Sequence, residues 1–168
     1  FMIALKMRGE TASDIAAGAS QMRANANSIK APNTSIDIVG TGGDSANSLN
    51  ISTAAAIIVA GCGVPVAKHG NKAVSSKSGA ADILSELGIN LECDFTQIEH
   101  AITHAAIGFL MAPRHHPALR FVGPTRIELG VRTIFNLLGP LSNPAFVDKA
   151  LIGVYDAKWG RPFAEALK

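Results

Sequence analysis

The stretch Ile36–Thr53, IDIVGTGGDSANSLNIST, decides the architecture. A largely apolar run of strand character ends in Gly40-Thr41-Gly42-Gly43-Asp44. A polar interval follows, and Ser52-Thr53 then opens an Ala-rich run of helical character. Strand, glycine turn and helix in that order make the first half of a βαβ unit. In open α/β sheets, ligands gather at the carboxyl ends of the strands. Glycines there expose backbone N–H groups and admit a bulky anion, and a helix start capped by Asn50 or Ser52 attracts phosphate. Neither a Walker loop nor a dinucleotide fingerprint is present: no Gly-Lys-Ser/Thr follows, and the Gly-x-Gly-x-x-Gly spacing is missing. Taken alone, the segment is explained equally well as an ordinary strand–turn–helix connection. Asp44 beside an anion requires a cation between them, and Mg2+ commonly binds through one or two carboxylates plus substrate phosphates. The other reading of Asp44 is a turn residue bonding its own backbone.

The same logic recurs one strand later. Val64–Ala67 reads as a strand and runs into KHGNKAVSSKSG, Lys68–Gly79. Lys68 and Lys72 bring positive charge, Gly70 gives access, and Ser75, Ser76 and Ser78 offer hydroxyls beside the next helix start. That composition suits a polyphosphate better than a neutral ligand. Lys77 reads as a solvated surface charge, and His69 alone as a hydrogen-bonded loop histidine. Two strand-end loops, one acidic and one basic, together point to a phosphate-bearing substrate bound with Mg2+ at the carboxyl edge of a parallel sheet.

Farther out, the pattern alternates. Strands are expected at 35–39, 64–67, 107–111 and 150–155, with a short extended piece at 89–91. Helices are expected at 52–60, 78–87 and 95–105. Before this block, residues 1–7 read as the end of a helix closed by Gly9. Thr11 with Asp14 forms a capping box in front of a second helix, and a polar linker reaches Pro32. After it, a Pro-rich segment precedes one helix over about 125–138, ended by Gly139-Pro140. The expected fold class is α/β, a mostly parallel sheet flanked by helices.

Composition narrows the function. The 168 residues are 48% hydrophobic and 5% aromatic, with a net charge of +2. Scarce aromatics argue against a stacking surface for single-stranded nucleic acid, and the small charge does not call for nucleic acid at all. Cys62 and Cys93 lack metal or redox spacing and read as reduced, core-type thiols of a cytoplasmic protein. No apolar run reaches the about 18 residues of a membrane span, and no secretory signal is visible. Both ends fall inside helical patterns, so the expectation is a fragment of a longer protein.

DIVGTGGD, NIST, KHGNKAVSSKSGAADILSELG and GPTRIELGVRTIFNLLGPLSNP together resemble the anthranilate phosphoribosyltransferase family, in order and over essentially the whole chain. The resemblance implies transfer of the phosphoribosyl group of phosphoribosyl pyrophosphate, held with Mg2+, to the amine of anthranilate, a step of tryptophan biosynthesis. It implies a small all-helical domain formed from discontinuous segments, residues 1–31 and 113–143, beside an α/β domain formed by 32–112 and 144–168. It also implies a homodimer pairing through the helical domain. Carried over residue by residue, Gly40, Gly43, Asp44 and Ser48 contact phosphoribosyl pyrophosphate, and Asn50, Ile51, Ser52 and Thr53 cradle phosphate. Ser52 also reaches Mg2+. Lys68, His69, Gly70, Asn71, Lys72, Ala73, Val74, Ser75, Ser76 and Ala80 wrap the pyrophosphate and ribose. Gly40, Asn71, His116 and Arg126 line the anthranilate site, where the planar Arg126 fork can pair a carboxylate. Read without the resemblance, Arg126 is a helical arginine in a surface ion pair with Glu128 or a neighbour. No side chain is nominated as nucleophile, and His69 is at most a weak base.

The chain departs from the family pattern in places. Ser48 stands for Thr, Ala80 for Ser, Lys72 for Arg, and Ile127 for a second Arg after Arg126. The family's acidic pair that carries much of the Mg2+ binding is not in these residues, so little turnover is expected of this piece alone. A pyrimidine nucleoside phosphorylase and a non-catalytic nucleic-acid-binding relative are the alternatives. The Arg126 segment and NLLGPLSNP favour the transferase, and the scattered cations disfavour nucleic acid.

Overall fold

The computed structural model describes residues 1–42, 49–72 and 79–168. Two helices lead: α1, Met2–Arg8, and α2, Ala12–Ala24. The Thr11 capping box forms as expected. Thr11 Oγ1 accepts the Asp14 N–H at 3.2 Å, and the Asp14 carboxylate accepts the Thr11 N–H at 2.9 Å. Arg8 closes an ion pair on the same carboxylate. Thr11→Ala should therefore cost about 1 kcal/mol, or about 2–4 °C in melting temperature for a chain of this size. Thr11→Ser should melt like the wild type, and an unchanged alanine variant would mean that the box contributes nothing.

The sheet has four parallel strands, β1 (Ile36–Gly40), β2 (Val66–Gly70), β3 (Ile107–Met111) and β4 (Lys149–Gly153), in the order β3-β2-β1-β4. Parallel strands need crossovers, and helices supply them. Helix α3, Ile51–Gly61, joins β1 to β2; α4, Ala80–Glu86, and α5, Phe95–His104, join β2 to β3. The pleat sends alternate side chains to opposite faces. Ile38 and Val66 pack with Ala56 of α3, and Phe109 and Met111 with Ala81 and Leu84 of α4. On the other face, Ala67 and Leu110 pack with Ile98 and Ile102 of α5. With both faces covered, β2 and β3 are almost wholly buried, as parallel sheets require.

Between β3 and β4 the chain runs through α6, Ala112–His115, a 3-10 turn at Pro117–Phe121, α7, Gly123–Leu129, and α8, Phe135–Leu138. A further 3-10 turn, Gly139–Leu141, precedes β4, and α9, Gly160–Ala166, follows it. The single helix expected over 125–138 is two helices. Gly130 ends α7 in the left-handed region, φ 60°, the conformation that a glycine stop favours. The Asn136 side chain accepts the Thr133 N–H at 3.0 Å and starts the next turn. The extended piece expected at 89–91 pairs with no strand among the described residues. A second core joins Ile15 and Ala19 of α2 to Ile134, Leu137, Leu138 and Leu141, and to Trp159 and Phe163 near the end of the chain. The thiols are free as expected, but Cys62 is exposed and Cys93 only partly buried, because both lie just past or between helices rather than on inward faces.

Candidate functional site

All four strands point the same way, so Gly40, Gly70, Met111 and Gly153 share one edge of the sheet. Gly40 stands opposite Gly153, and Gly70 opposite Met111. The two loops singled out in the sequence leave from Gly40 and Gly70, on adjacent strands. Thr41 ties its loop to β4: its N–H donates to the Gly153 carbonyl at 2.9 Å, and its hydroxyl accepts the Tyr155 N–H at 2.9 Å. Gly42 follows with φ 65°, where a Cβ would be strained. Gly43, Asp44 and Ser48 of the first loop, and Ala73, Val74, Ser75 and Ser76 of the second, lie outside the described residues.

Helix α3 begins at the return of the first loop. Asn50 holds the N-cap position without bonding the helix backbone. Its side-chain oxygen instead accepts the Thr53 hydroxyl at 2.8 Å. The first-turn N–H groups are thus not capped by Asn50, and Ile51 and the half-buried Ser52 stand at that end. On the second loop Asn71 and Lys72 are exposed, and the Asn71 side chain accepts the Lys72 N–H at 2.8 Å. Ala80 opens α4 close to Gly70: a Cβ on Gly70 would lie 3.3 Å from the Ala80 methyl and 2.8 Å from the Phe109 ring.

Lys68 and His69 are placed differently from what the loop reading suggests. Both belong to β2 and are buried, with 2% and 3% exposure. Lys68 Nζ donates to the Ile38 carbonyl at 2.7 Å. Burial lowers the Lys68 pKa, against the pull of the nearby Asp37 charge. His69 donates from Nδ1 to the Gly139 carbonyl at 3.1 Å, and Nε2 has no partner among the described residues. Its ring meets the His116 ring edge-on, centroids 5.1 Å apart. Burial, then the charges of His116, His115 and Lys68, push the His69 pKa down to about 3, against the Gly139 bond. An imidazole with so little proton affinity is a poor base near neutral pH.

Asp37 is the residue sequence reading passed over. Fully buried in β1, it accepts the His69 N–H at 3.1 Å and the Asn143 amide at 2.8 Å. Desolvation pushes its pKa up to about 6, against Asn143, His69, Lys68 and Ile38. The available signal was one carboxylate inside an otherwise apolar strand.

His116 is buried beside His69. Burial chiefly, then His115, lowers its pKa. The nearby Ser142 and Met22 backbones oppose this without closing a hydrogen bond of normal geometry. His116 lines a cavity of about 600 Å3 between α1, α2 and the 118–138 region, with Met22, Leu119, Ile134, Phe135 and Leu138 in its walls. Half-buried Arg126 of α7 sets its guanidinium 5.3 Å from the centre of the Phe135 ring, and desolvation lowers its pKa. The ion pair with Glu128 expected without the resemblance is not formed among the described residues. Among the described residues, no group of three or more His, Cys, Asp or Glu side chains could hold a metal. Ser52 alone is not a magnesium cage, so the described residues do not fit one by themselves.

A family model described as the a/b domain of the glycosyl transferase family matches residues 32–168. An anthranilate phosphoribosyltransferase of Azospirillum brasilense is 59% identical over 168 residues, covering all of this chain and 47% of that protein. The crystal structure of the enzyme of that name from Thermus thermophilus superposes with a TM-score of 0.93 at 50% identity, over 99% of this chain and 51% of that one. Its Saccharomyces cerevisiae counterpart, in complex with PRPP and Mg, superposes with a TM-score of 0.89 at 35% identity, over 99% of this chain and 47% of that one. The chain thus spans about half the length of the curated relatives it matches.

Proposed function

The chain belongs to the glycosyl transferase family through its α/β domain, and on that premise we propose that it carries the phosphate-binding part of an anthranilate phosphoribosyltransferase. One observation carries the reading. Two Gly- and hydroxyl-rich loops leave adjacent strand ends, Gly40 and Gly70, beside a helix start whose N-cap side chain is turned away from the backbone N–H groups. The relative from yeast was solved with PRPP and Mg.

In this reading, the loop after Gly40 and the Asn50–Thr53 turn receive phosphate through backbone N–H groups and hydroxyls. Asn71 and Lys72 approach the diphosphate from the second strand. Gly43, Asp44, Ser48 and Ala73–Ser76 complete the two loops. Lys68 and His69 act from inside the sheet, setting where the second loop starts. Arg126, braced on Phe135, offers a planar fork to the anthranilate carboxylate, and His116 lines the cavity that Phe135 also lines. Magnesium, held mainly by the diphosphate itself, would neutralise its charge, and Ser52 is the described residue that would reach it. Displacement at the ribose carbon by a weakly basic aromatic amine needs no protein nucleophile, so these residues work by positioning and charge compensation. Residues 1–31 with 113–143 form the helical part, the remainder the α/β part with α9 packed against the helical part, and the whole protein pairs with a second copy.

Calorimetric titration of the chain with phosphoribosyl pyrophosphate, with and without Mg2+, tests this. Magnesium-dependent binding is expected. Asp44→Ala or Lys72→Ala should weaken it at least about tenfold, the effect of losing one charged contact. A folded chain that binds nothing, or binds equally without metal and in both variants, would remove the assignment of the two loops.

A further inference from the structure

Strands β1 and β2 are neighbours, yet Ile36 opposite Val66 is their only paired position among the described residues, whereas β1–β4 and β2–β3 pair over five residues each. The Ile36 N–H donates to the Pro65 carbonyl as a parallel ladder requires. The next rung would join the Ile38 N–H to the Ala67 carbonyl and the His69 N–H to the Ile38 carbonyl. Side chains take those groups instead. Asp37 accepts the His69 N–H at 3.1 Å, Lys68 donates to the Ile38 carbonyl at 2.7 Å, and Asn143 donates to the Ala67 carbonyl at 2.8 Å. Asn143 then donates to Asp37 itself at 2.8 Å, which straps the segment after Gly139–Leu141 onto the gap.

We propose that Asp37 is a positioning residue: with Lys68 and Asn143 it replaces one backbone rung and sets the gap between the β1 and β2 exits. Burying a carboxylate and an ammonium is costly, and one ordinary rung would satisfy the same backbone groups without either charge. Interrupted pairing next to functional sites characteristically re-aims the chain that leaves the strand. Here the chain leaving β1 is the loop after Gly40, and β2 carries His69-Gly70 into Asn71-Lys72. The inference rests on the reading of those two loops as the phosphate site.

The test uses three forms of the chain beside wild type: Asp37→Asn, Asn143→Ala, and the exchange Asp37→Asn with Asn143→Asp. Amide hydrogen exchange and the amide proton shift of His69 report the gap without ligand. Calorimetry with magnesium and phosphoribosyl pyrophosphate reports the site. In wild type the His69 amide should be protected and shifted downfield by its carboxylate acceptor. Asp37→Asn should raise exchange at His69 and around Asn143 at least about tenfold while β3 and β4 keep their protection, and should weaken binding about tenfold. The exchanged pair should recover most of the binding. Asn143→Ala should loosen the strap with the Asp37 carboxylate intact, and serves if Asp37→Asn does not fold. Unchanged exchange at His69 in Asp37→Asn, or an equal loss of protection in all four strands, overturns the inference. A wild type with a protected His69 that binds no ligand defeats the phosphate-site reading and, with it, the positioning role.

Discussion

Gly108→Ala should destabilise the chain by about 2–3 kcal/mol, the upper part of the range for overpacked cores. For a chain of this length that is a fall of about 4–12 °C in melting temperature. Gly108 lies in β3 opposite Ala67 and faces helix α5. An added Cβ would stand 2.6 Å from Ile102 Cγ1 and 3.0 Å from the Ile98 carbonyl oxygen. The Ile102 methylene can shift by a rotamer change, but the Ile98 carbonyl is helix backbone. The whole of α5 must therefore back away from the sheet and loosen Ile98, Ile102 and Leu110 together. Gly108→Val adds two more methyl groups in the same space and should cost more than about 4 kcal/mol. Chemical denaturation of both variants checks this. An alanine variant as stable as wild type would mean that α5 is not seated on β3 as described.

That glycine also shows what a sequence can and cannot reveal here. Strand-end glycines are legible because the chemistry expected there, an anion against backbone, is local to one loop. Gly108 carries the same message about close approach, and a lone glycine inside a strand is a known sign of it. Its partner, however, is a helix whose seating no local pattern announces. The four strands, the crossover helices and the Thr11 cap were legible because periodicity and capping chemistry act within a few residues. The break at Gly130 was not, because the apolar spacing over 125–138 continues past it. Only the left-handed backbone at that glycine stops the helix. Lys68 reads in sequence as a loop cation, but the strand runs to Gly70 and carries its ammonium under the Ile38 carbonyl. The partnership of Asp37 with Asn143 spans 106 residues. A lone carboxylate in IDIV could signal it, but its partner could not be named without the fold.

Acidification should destabilise the wild-type chain from about pH 6.5 downward, and His69→Gln should remove much of that slope. His69 is held near 3 in the folded chain and returns to 6.5 when unfolded. Its folded pKa is depressed, so the unfolded state binds the extra proton between those values. Stability is therefore lost as pH falls, at about 1.4 kcal/mol per pH unit. Down to pH 4.5 that amounts to about 3 kcal/mol from this ring. His115 and His116 are lowered as well, chiefly by burial, and act in the same direction. Asp37 acts oppositely. Its folded pKa is raised to about 6 from 3.8, so the folded state takes up the proton first and gains stability as pH falls through that window. Asp37 thus offsets part of the histidine loss as pH falls through its own titration, and the decline becomes shallower there. Lys68 is lowered from 10.5, chiefly by burial, so it too favours the folded state as pH rises towards that value. Melting wild type and His69→Gln in parallel across pH 7 to 4.5 isolates the imidazole. The curves should converge on acidification by about 6–12 °C, given about 2–4 °C per kcal/mol. Parallel curves would mean that His69 titrates as it does in the unfolded chain, and that the buried contact with His116 and the Gly139 carbonyl does not hold in solution.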